Sequence, residues 1–358
     1  MSATKIKSSN ESKMKNFCHN LPKIELHAHL NGSLSCQTLT KLFNMKHARD
    51  TNHENFDVEK CNSLTEIFDV FSLAYSVTET PEAVYTATYD TIKEFYEDNV
   101  IYLELRSTPR ACEKMTKKEY ILAITQAIKD CKKSNLSIKV KLLISVNRKQ
   151  GFKAAKENIR LAIEMKQEHD CIVGIDLSGD PTKGEAFIEL LHIARTAGLK
   201  IAAHCAEVPN EVESMDIIKF KPDRLGHGTC IHPLSNGSEE LYETFLSSKI
   251  PVELCLSSNI MCKTVPTYDA HHFKYLYESK HPLCICTDDK GVFNTTLSKE
   301  LILVMKYFNL SENDLIKLMK STASYAFASC IEKNELIEII DGFSKSAENT
   351  VKVTKNFK

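Results

Sequence analysis

The chain has 358 residues, with 46 lysines and arginines against 47 aspartates and glutamates, and 42% of its residues are hydrophobic. The balanced charge excludes a strongly basic nucleic-acid or membrane-surface binder, and the hydrophobic content is sufficient for the large core of a soluble globular protein. The 13 cysteines are an odd number scattered through apolar segments, which indicates reduced thiols and a cytosolic protein.

The predicted elements begin with a polar tail over residues 1–20, which has no apolar stretch typical of a secretory signal. From residue 21 onward, short apolar runs alternate with segments of helical period, the pattern of parallel β/α units. Eight runs are present, and eight parallel strands are the number that closes a barrel. They occupy residues 24–29, 101–107, 140–146, 172–179, 200–207, 224–228, 250–259 and 283–289.

The segments between the runs complete this pattern. The interval 33–99 is too long for one crossover helix and predicts extra helices over the barrel mouth. Residues 297–341 predict helices that close the barrel, and residues 342–358 predict a carboxyl-terminal tail. We therefore predict an α/β protein with a single (β/α)8 TIM-barrel domain over 21–341, acting as a monomer.

Polar, reactive side chains stand at the ends of nearly all of these runs. In a parallel barrel all strand ends point to the same face, so residues far apart in sequence converge there. The side chains concerned are His27, His29, Arg106, Asp176, His204, Glu207, His227, Ser257, Asp288 and Asp289.

A metal site is the first function that this convergence predicts. His27 and His29 lie two residues apart on a predicted strand, so both imidazoles emerge on one face. Alone, the pair is weak evidence, because two hydrogen-bonded histidines at a strand end have the same spacing. His204 and Asp288 supply further ligands from the same rim. Three imidazoles and one carboxylate suit one Zn²⁺ per chain, with a position left for water.

Acid–base residues accompany these candidate ligands. Glu207 follows His204 by three residues and can face a substrate as a proton donor, the alternative being a surface salt bridge. His227 stands between Gly226 and Gly228, whose lack of side chains would let its imidazole approach a water at the metal. Asp289 either contacts a substrate nitrogen or caps a helix.

The segments PKIELHAHLNGS, DLSGD, HCAE, LGHGT and TDD occur in this order and resemble the signature blocks of the adenosine/AMP deaminase family, of the metal-dependent amidohydrolase superfamily. The similarity covers roughly residues 20–335. It implies a zinc-dependent hydrolase that removes an amine from C6 of a purine. The roles it implies are zinc ligation by His27, His29, His204 and Asp288, proton donation to N1 by Glu207, action on the attacking water by His227, contact with N7 by Asp289, and a backbone contact with N3 by Gly179.

Other residues around the predicted site favour a nucleoside monophosphate as the substrate. Adenosine deaminases typically have Asp two residues after the second histidine, whereas this chain has Asn31, whose neutral amide would not repel a 5′-phosphate. The hydroxyls, backbone amide and guanidinium of the segment after the second run suit a phosphate. Lys290 adds positive charge nearby or is simply solvated. The residues of that segment are Ser107, Thr108, Pro109 and Arg110.

Tyr75 and Asn147 stand where the resemblance leads us to expect histidine and aspartate. Both can still hydrogen-bond a nucleotide, and with His29 they complete the predicted substrate contacts.

A deaminase of the free nucleoside and a non-catalytic purine- or metal-binding barrel remain alternatives. A dinuclear amidohydrolase is disfavoured, because Gly179 and Asp180 replace the bridging lysine expected after the fourth strand. The cytidine-deaminase-like zinc fold is disfavoured too, because its His-x-Glu and Pro-Cys-x-x-Cys motifs do not occur.

Overall fold

Eight parallel strands form the centre of the protein in a computed structural model. The structure describes residues 3–48, 61 and 67–355, but not the side chains of residues 3–10, 68 and 347–355. The strands pair in sequence order, and the barrel closes where His29 N donates to Asp288 O (3.0 Å) and Asp288 N donates to His27 O (2.8 Å). This arrangement confirms the predicted barrel. The strands are β1 (Lys23–His29), β2 (Val100–Ser107), β3 (Lys139–Asn147), β4 (Ile172–Ser178), β5 (Lys200–Cys205), β6 (Arg224–His227), β7 (Val252–Leu254) and β8 (Leu283–Ile285).

The α-helices of the described residues lie around the strands, with one helix before β1 and three after β8 in the sequence. They are α1 (Ala3–Asn20), α2 (Cys36–His47), α3 (Ile67–Val77), α4 (Pro81–Glu97), α5 (Lys117–Lys133), α6 (Gly151–Lys166), α7 (Ile188–Thr196), α8 (Glu211–Phe220), α9 (Glu239–Ser248), α10 (Leu256–Met261), α11 (Phe273–Glu278), α12 (Leu297–Phe308), α13 (Glu312–Tyr325) and α14 (Cys330–Lys355). No helix in the described ranges is long and apolar enough to cross a membrane.

The two last strands are shorter than the apolar runs that predicted them. The seventh run was expected to extend through residue 259, but β7 ends at Leu254 and α10 begins at Leu256. The carboxylate of Glu300 accepts from the backbone N of Ser257 (3.1 Å), which satisfies a free donor at the start of this helix. A tertiary contact from α12 therefore ends the strand, although the apolar pattern continues.

Helices α2, α3 and α4 occupy the interval between β1 and β2, where extra helices over the barrel mouth were expected. Thr80 begins α4 by accepting from the backbone N of Ala83 (3.2 Å), and Pro81 occupies its first turn. The parts of this interval over 49–60 and 62–66 lie outside the described residues. Helix α3 lies at the mouth, where three of its side chains line the central cavity.

Residues 1–20, predicted as a polar tail, instead form helix α1 from Ala3, with residues 1 and 2 outside the description. Among residues 11–20 of this helix only Phe17 and Cys18 are buried, which explains why composition did not reveal it. Phe17 is 8% exposed and its ring centroid lies 5.7 Å from that of Phe343 on α14. The ammonium group of the buried Lys23 donates to the carbonyls of Cys18, His19 and Leu21 at 2.8–3.0 Å, which caps the helix.

The carboxyl terminus also differs from the predicted tail over 342–358. Helix α14 continues without a break from Cys330 to Lys355, and residues 356–358 lie outside the description. Ile340 is fully buried and Phe343 contacts Phe17 of α1. The two chain ends therefore pack against each other, and this long-range contact has no signature in either segment alone.

Replacing Phe17 with Ala tests whether α1 belongs to the folded domain. We expect the free energy of unfolding to fall by about 3 kcal/mol, because a buried aromatic ring is removed from a packed interface. Urea denaturation followed by circular dichroism measures this change. Ile331→Ala is the control, since Ile331 is 72% exposed, and should change stability by less than about 0.5 kcal/mol. Equal stability of both variants would contradict the docking of α1.

Candidate active site

The carboxyl ends of the strands open onto a cavity of about 290 Å³, at the lower end of the range for small-molecule sites. His27 is fully buried beside the cavity, whereas Pro109 and Arg110 lie outside its lining. Most of the residues predicted from the sequence therefore share one chamber. Those that line it are His29, Asn31, Tyr75, Ser107, Thr108, Asn147, Gly179, His204, Glu207, His227, Asp288 and Asp289.

Three imidazoles and one carboxylate meet at one edge of this cavity. One ligand atom from each of His27, His29, His204 and Asp288 lies within 4.8 Å of all the others. The Nε2 atoms of His29 and His204 are 3.2 Å apart, and Asp288 Oδ1 is 3.4 Å from Nε2 of both His27 and His29. A four-coordinate ion with bonds of about 2.0 Å separates its ligands by roughly 3.3 Å, so the cluster fits such an ion.

Buried acceptors orient two of these imidazoles. His27 Nδ1 donates to Glu253 Oε2 (2.7 Å), and His204 Nδ1 donates to the carbonyl of Leu177 (2.8 Å). Because each ring then carries its proton on Nδ1, the Nε2 lone pairs face the cluster. His27 Nε2 is buried and has no hydrogen-bond partner within the described chain. A metal ion would satisfy this unpaired nitrogen, so the residues present fit a metal.

Glu253 links this cluster to a network of buried charges inside the barrel. Its carboxylate contacts His27, Arg106 (2.5 Å) and Arg224 (2.6 Å), and Arg106 also pairs with Asp176 (3.0 Å). Burial alone would raise the pKa of Glu253, but the charges of the two arginines hold it well below its usual range. The acid that orients His27 is therefore an anion that is fully paired.

Asp288 accepts a hydrogen bond from a serine hydroxyl, and its backbone has an unfavourable conformation. Ser258 Oγ donates to Asp288 Oδ2 (2.7 Å), which leaves Oδ1 toward the imidazoles. Asp288, His227 and Ala206 have φ angles of 60°, 62° and 53°, in the left-handed region that non-glycine residues rarely occupy. Three such residues around one cluster indicate that the surrounding structure holds these side chains against a backbone cost.

Glu207 and His227 face each other next to the cluster. Glu207 Oε2 is 3.9 Å from His227 Nε2, which is in turn 4.0 Å from Asp288 Oδ2. Burial lowers the pKa of His227, so its imidazole is neutral and can accept a proton. His272 Nε2 donates to the His227 carbonyl (2.8 Å), which holds the backbone from behind. Glu207 and His227 thus place a carboxyl group and a neutral base side by side next to the candidate metal ligands.

Gly226 has a role beyond the one that its sequence position suggested. It was expected, with Gly228, to let the His227 imidazole approach a water at the metal. A Cβ at Gly226 would also lie 3.0 Å from Cε1 of His27 and 3.3 Å from Cα of His204. The absence of a side chain therefore makes room for two of the candidate metal ligands.

Asp289 lies against the backbone of Gly32, where a Cβ would come within 1.7 Å of Asp289 Oδ1. Burial, and next the charge of Asp288, raise the pKa of Asp289 well above its usual range. Asp289 Oδ1 has no hydrogen-bond partner in the described part of the chain. In its protonated form this acid can donate to a ligand nitrogen, and no helix-capping bond of its side chain is present in the described part of the chain.

At the other end of the cavity, Asn31 and Ser107 meet around Tyr120 of α5. Tyr120 OH donates to Asn31 Oδ1 (3.1 Å) and lies 2.6 Å from Ser107 Oγ. Tyr75 is 47% exposed and its ring stacks on Phe71, with the centroids 6.3 Å apart. This end of the cavity offers neutral hydrogen-bonding groups and aromatic surface.

Asn147 and Gly179 form another part of the wall. Asn147 Oδ1 accepts from the backbone N of Lys149 (3.0 Å) and lies 2.4 Å from the position that a Cβ of Gly179 would occupy. The amide of Asn147 therefore covers the Gly179 backbone on one side, and the other side faces the cavity.

Two basic residues considered for phosphate binding are engaged elsewhere. Arg110 donates to the carbonyls of Tyr75 (3.0 Å) and Thr78 (2.5 Å), at the end of α3. Lys290 is 8% exposed and forms an ion pair with Glu94 of α4. Lys290 is therefore neither solvated nor part of the cavity. Both side chains attach the segment over the mouth to the barrel.

Several residues of the site were missed by sequence reasoning. Ser257 was named at the seventh rim position, but it pairs with Glu300, and Ser258 reaches Asp288 because this segment is a helix. A glutamate within an apolar strand was a usable signal for Glu253, since a buried charge requires a partner. Tyr120 lies on an outer helix and carries no such signal.

The eight parallel strands form a TIM barrel, and histidine and carboxylate side chains at its carboxyl end form a candidate metal site. The family model described as adenosine deaminase matches residues 22–343. The chain belongs to the adenosine deaminase family, and it is a hydrolase of the deaminase type. Both the predicted resemblance and the predicted enzyme class are confirmed.

Named relatives cover nearly the whole chain. N6-Methyl-AMP deaminase of Bos taurus is 44% identical over 328 residues, which is 89% of this chain and 93% of that protein. The apo structure of N6-methyl-AMP deaminase from Arabidopsis thaliana has a TM-score of 0.82 at 36% identity, covering 93% of this chain and 99% of the other. The Arabidopsis protein called ADAL, complexed with IMP, has a TM-score of 0.80 at 36% identity, covering 92% and 98%.

Replacing Ser258 with Ala tests the metal site without removing a ligand. We expect the affinity for Zn²⁺ to fall at least about tenfold, because a group that orients a ligating carboxylate is lost. Competition with a chromophoric chelator measures this affinity. Ser257→Ala is the matched control, since the adjacent hydroxyl is also buried but contacts Glu300. Equal affinities of the two variants would argue against ligation by Asp288.

Proposed function

We propose that this protein is a zinc-dependent aminohydrolase that converts N6-methyl-AMP and water to IMP and methylamine. The observation that carries the proposal is the convergence of His27, His29, His204 and Asp288 within 4.8 Å, beside Glu207 and His227. The names of full-length relatives at 44% identity support the substrate, as does a neighbouring structure complexed with IMP, the product of this reaction.

His27, His29, His204 and Asp288 would hold the zinc ion, one per chain. When bound, zinc supplies the Lewis acidity that makes water nucleophilic near neutral pH. His227 has a neutral imidazole that can orient the attacking water and take its proton. The water oxygen forms a bond to C6 of the purine, and the bond from C6 to the exocyclic nitrogen breaks.

Glu207 would protonate the purine at N1 so that C6 can accept the nucleophile. The departing nitrogen would take up the proton that His227 removes from the water and leave as methylamine. Asp289, whose pKa is raised by burial and by the charge of Asp288, would donate to N7 in its protonated form, and the Gly179 backbone would meet N3. The same carbon is attacked whether ammonia or methylamine leaves. Hydrolysis of an N6-methyl group therefore needs only space around the leaving nitrogen.

The 5′-phosphate would lie at the end of the cavity that contains Asn31, Ser107 and Thr108. A neutral amide at position 31 donates to phosphate oxygens, whereas a carboxylate would repel them. Tyr75 and Asn147 would complete the contacts with the nucleotide. Arg110 would act through its positive charge and through its hold on the end of α3, because its hydrogen bonds are directed to backbone carbonyls.

The substrate assignment is tested by measuring turnover of N6-methyl-AMP, AMP, N6-methyladenosine and adenosine by the zinc-loaded enzyme. We expect N6-methyl-AMP to have the largest kcat/KM and to yield IMP and methylamine in equal amounts. Removing the phosphate should lower kcat/KM at least about a hundredfold, because charge-assisted contacts are lost. Equal rates on adenosine would indicate a nucleoside deaminase instead, and no turnover of any of the four would favour a non-catalytic barrel.

Glu207→Gln tests the proposed proton donor. The zinc content should stay near one per chain, because Glu207 is not a ligand, whereas kcat should fall about 10²–10⁴-fold with loss of general acid catalysis. Atomic absorption and product assays measure the two quantities. Removing zinc from the wild-type protein with a chelator should abolish turnover in parallel. Unchanged turnover of the variant would refute the role of this acid.

We also propose that the protein works in the cytosol as a monomer that binds a purine nucleotide and no nucleic acid. All 13 cysteines are free thiols, which is typical of a reducing compartment. The proposed ligands, acid and base come from one chain, so the reaction needs no second subunit.

A further inference from the structure

The number of hydroxyl protons available determines which groups donate and which accept in the hydrogen bonds around Asn31. The single hydroxyl proton of Thr78 is donated to the carbonyl of Ala74 (2.7 Å), so Thr78 Oγ1 can only accept from its other neighbours. It accepts from Arg110 and, in a longer contact of 3.5 Å, from Nδ2 of Asn31. The end of the Asn31 amide that faces Thr78 must therefore be the NH2 group.

The other end of the same amide faces Tyr120, which is 1% exposed. Tyr120 has one phenolic proton and donates it to Asn31 Oδ1 (3.1 Å). Its 2.6 Å contact with Ser107 must then be a bond that Ser107 donates. The donors consequently run in one direction, from Ser107 through Tyr120 and Asn31 to Thr78.

We propose that Tyr120 and Thr78 are positioning residues that require a neutral amide at position 31 and direct its free N–H into the cavity. Thr78 takes one of the two Nδ2 protons, and the second is available to a ligand. A carboxylate at this position would place an oxygen opposite Thr78 Oγ1, whose proton is already used. This inference rests on the proposed function, since the ligand group that would accept this proton is the 5′-phosphate.

The same arrangement predicts how the preference for nucleotides arises. Neither Tyr120 nor Thr78 lines the cavity, so both would act on the substrate through side chains that they contact. Both contact Asn31, while Tyr120 also contacts Ser107 and Thr78 also contacts Arg110. Removing either hydroxyl lets the amide turn, so that a carbonyl oxygen can face the phosphate and repel it. The effect should therefore be confined to ligands that carry a 5′-phosphate.

The test is Tyr120→Phe, which removes the hydroxyl and keeps the ring. We expect kcat/KM for N6-methyl-AMP to fall about tenfold, mainly through KM, as for the loss of one charge-assisted hydrogen bond. The value for N6-methyladenosine should change less than about twofold. Tyr85→Phe is the matched control, because the Tyr85 hydroxyl contacts Asp130 on the outside of α4 and α5 (3.4 Å). An equal loss on both substrates would overturn the proposal.

A double-mutant cycle distinguishes positioning from general destabilisation. If Tyr120 acts through Asn31, then Tyr120→Phe should have no further effect on KM in a protein that already carries Asn31→Ala. Additive losses would overturn the proposal. Thr78→Val should reproduce the Tyr120→Phe result, with the larger effect again on the nucleotide.

Equilibrium binding separates this inference from the proposed reaction. Calorimetric affinities for IMP and inosine can be measured whether or not the wild-type enzyme turns over N6-methyl-AMP. A preference for IMP over inosine that falls about tenfold in Tyr120→Phe supports the positioning role even if the proposed reaction fails. A preference that persists unchanged in the variant overturns the positioning role while the proposed reaction stands.

Discussion

The buried carboxylate of Glu253 is the constraint on which the rest of the site depends. It accepts a hydrogen bond from His27 and pairs with Arg106 and Arg224 inside the barrel. A buried anion of this kind is stable only when all its partners are present. Because Glu253 lies on β7 and its partners lie on β1, β2 and β6, these contacts constrain the relative positions of four strands. The direction of the His27 lone pair therefore follows from the packing of the barrel interior.

The side chains that would do chemistry are supported in a similar way by contacts with neighbouring groups. Ser258 holds Asp288, the carbonyl of Leu177 holds His204, and the backbone of Gly32 leaves room for Asp289. Because these supports come from helix α10, strand β4 and the segment after β1, a small shift of one of these elements would misalign the cluster. This explains why the left-handed backbone at Asp288 is retained despite its cost.

In the part of the cavity proposed to bind the phosphate, neutral hydrogen-bonding groups orient the side chain of Asn31. Two hydroxyl protons determine the direction of the hydrogen bonds around Asn31: Tyr120 donates its proton to Asn31 Oδ1, and Thr78 donates its proton to the carbonyl of Ala74. Arg110 and Lys290 attach α3 and α4 to the barrel, so the same contacts that close the mouth also complete the environment of Asn31. Arg110 thus helps to close the cavity and also contacts Thr78, which orients Asn31.

Much of this architecture follows from local patterns. Apolar runs that end in reactive side chains predicted eight strands, and the convergence of parallel strand ends predicted the meeting of His27, His29, His204 and Asp288. Patterns failed where a distant contact decides the outcome. The apolar run through 250–259 ends early because Glu300 starts a helix there, and the polar segment 1–20 is helical because Phe17 meets Phe343.

The sequence by itself determined the barrel, the order of its strands and the identity of the groups at their carboxyl ends, because these depend on hydrophobic period and on residue type. Only the tertiary structure decided which nitrogen of each histidine faces the cluster, which serine supports Asp288, and which way the amide of Asn31 points. These are matters of hydrogen-bond partners, and the partners lie tens to hundreds of residues away along the chain. A local pattern contains no information about them.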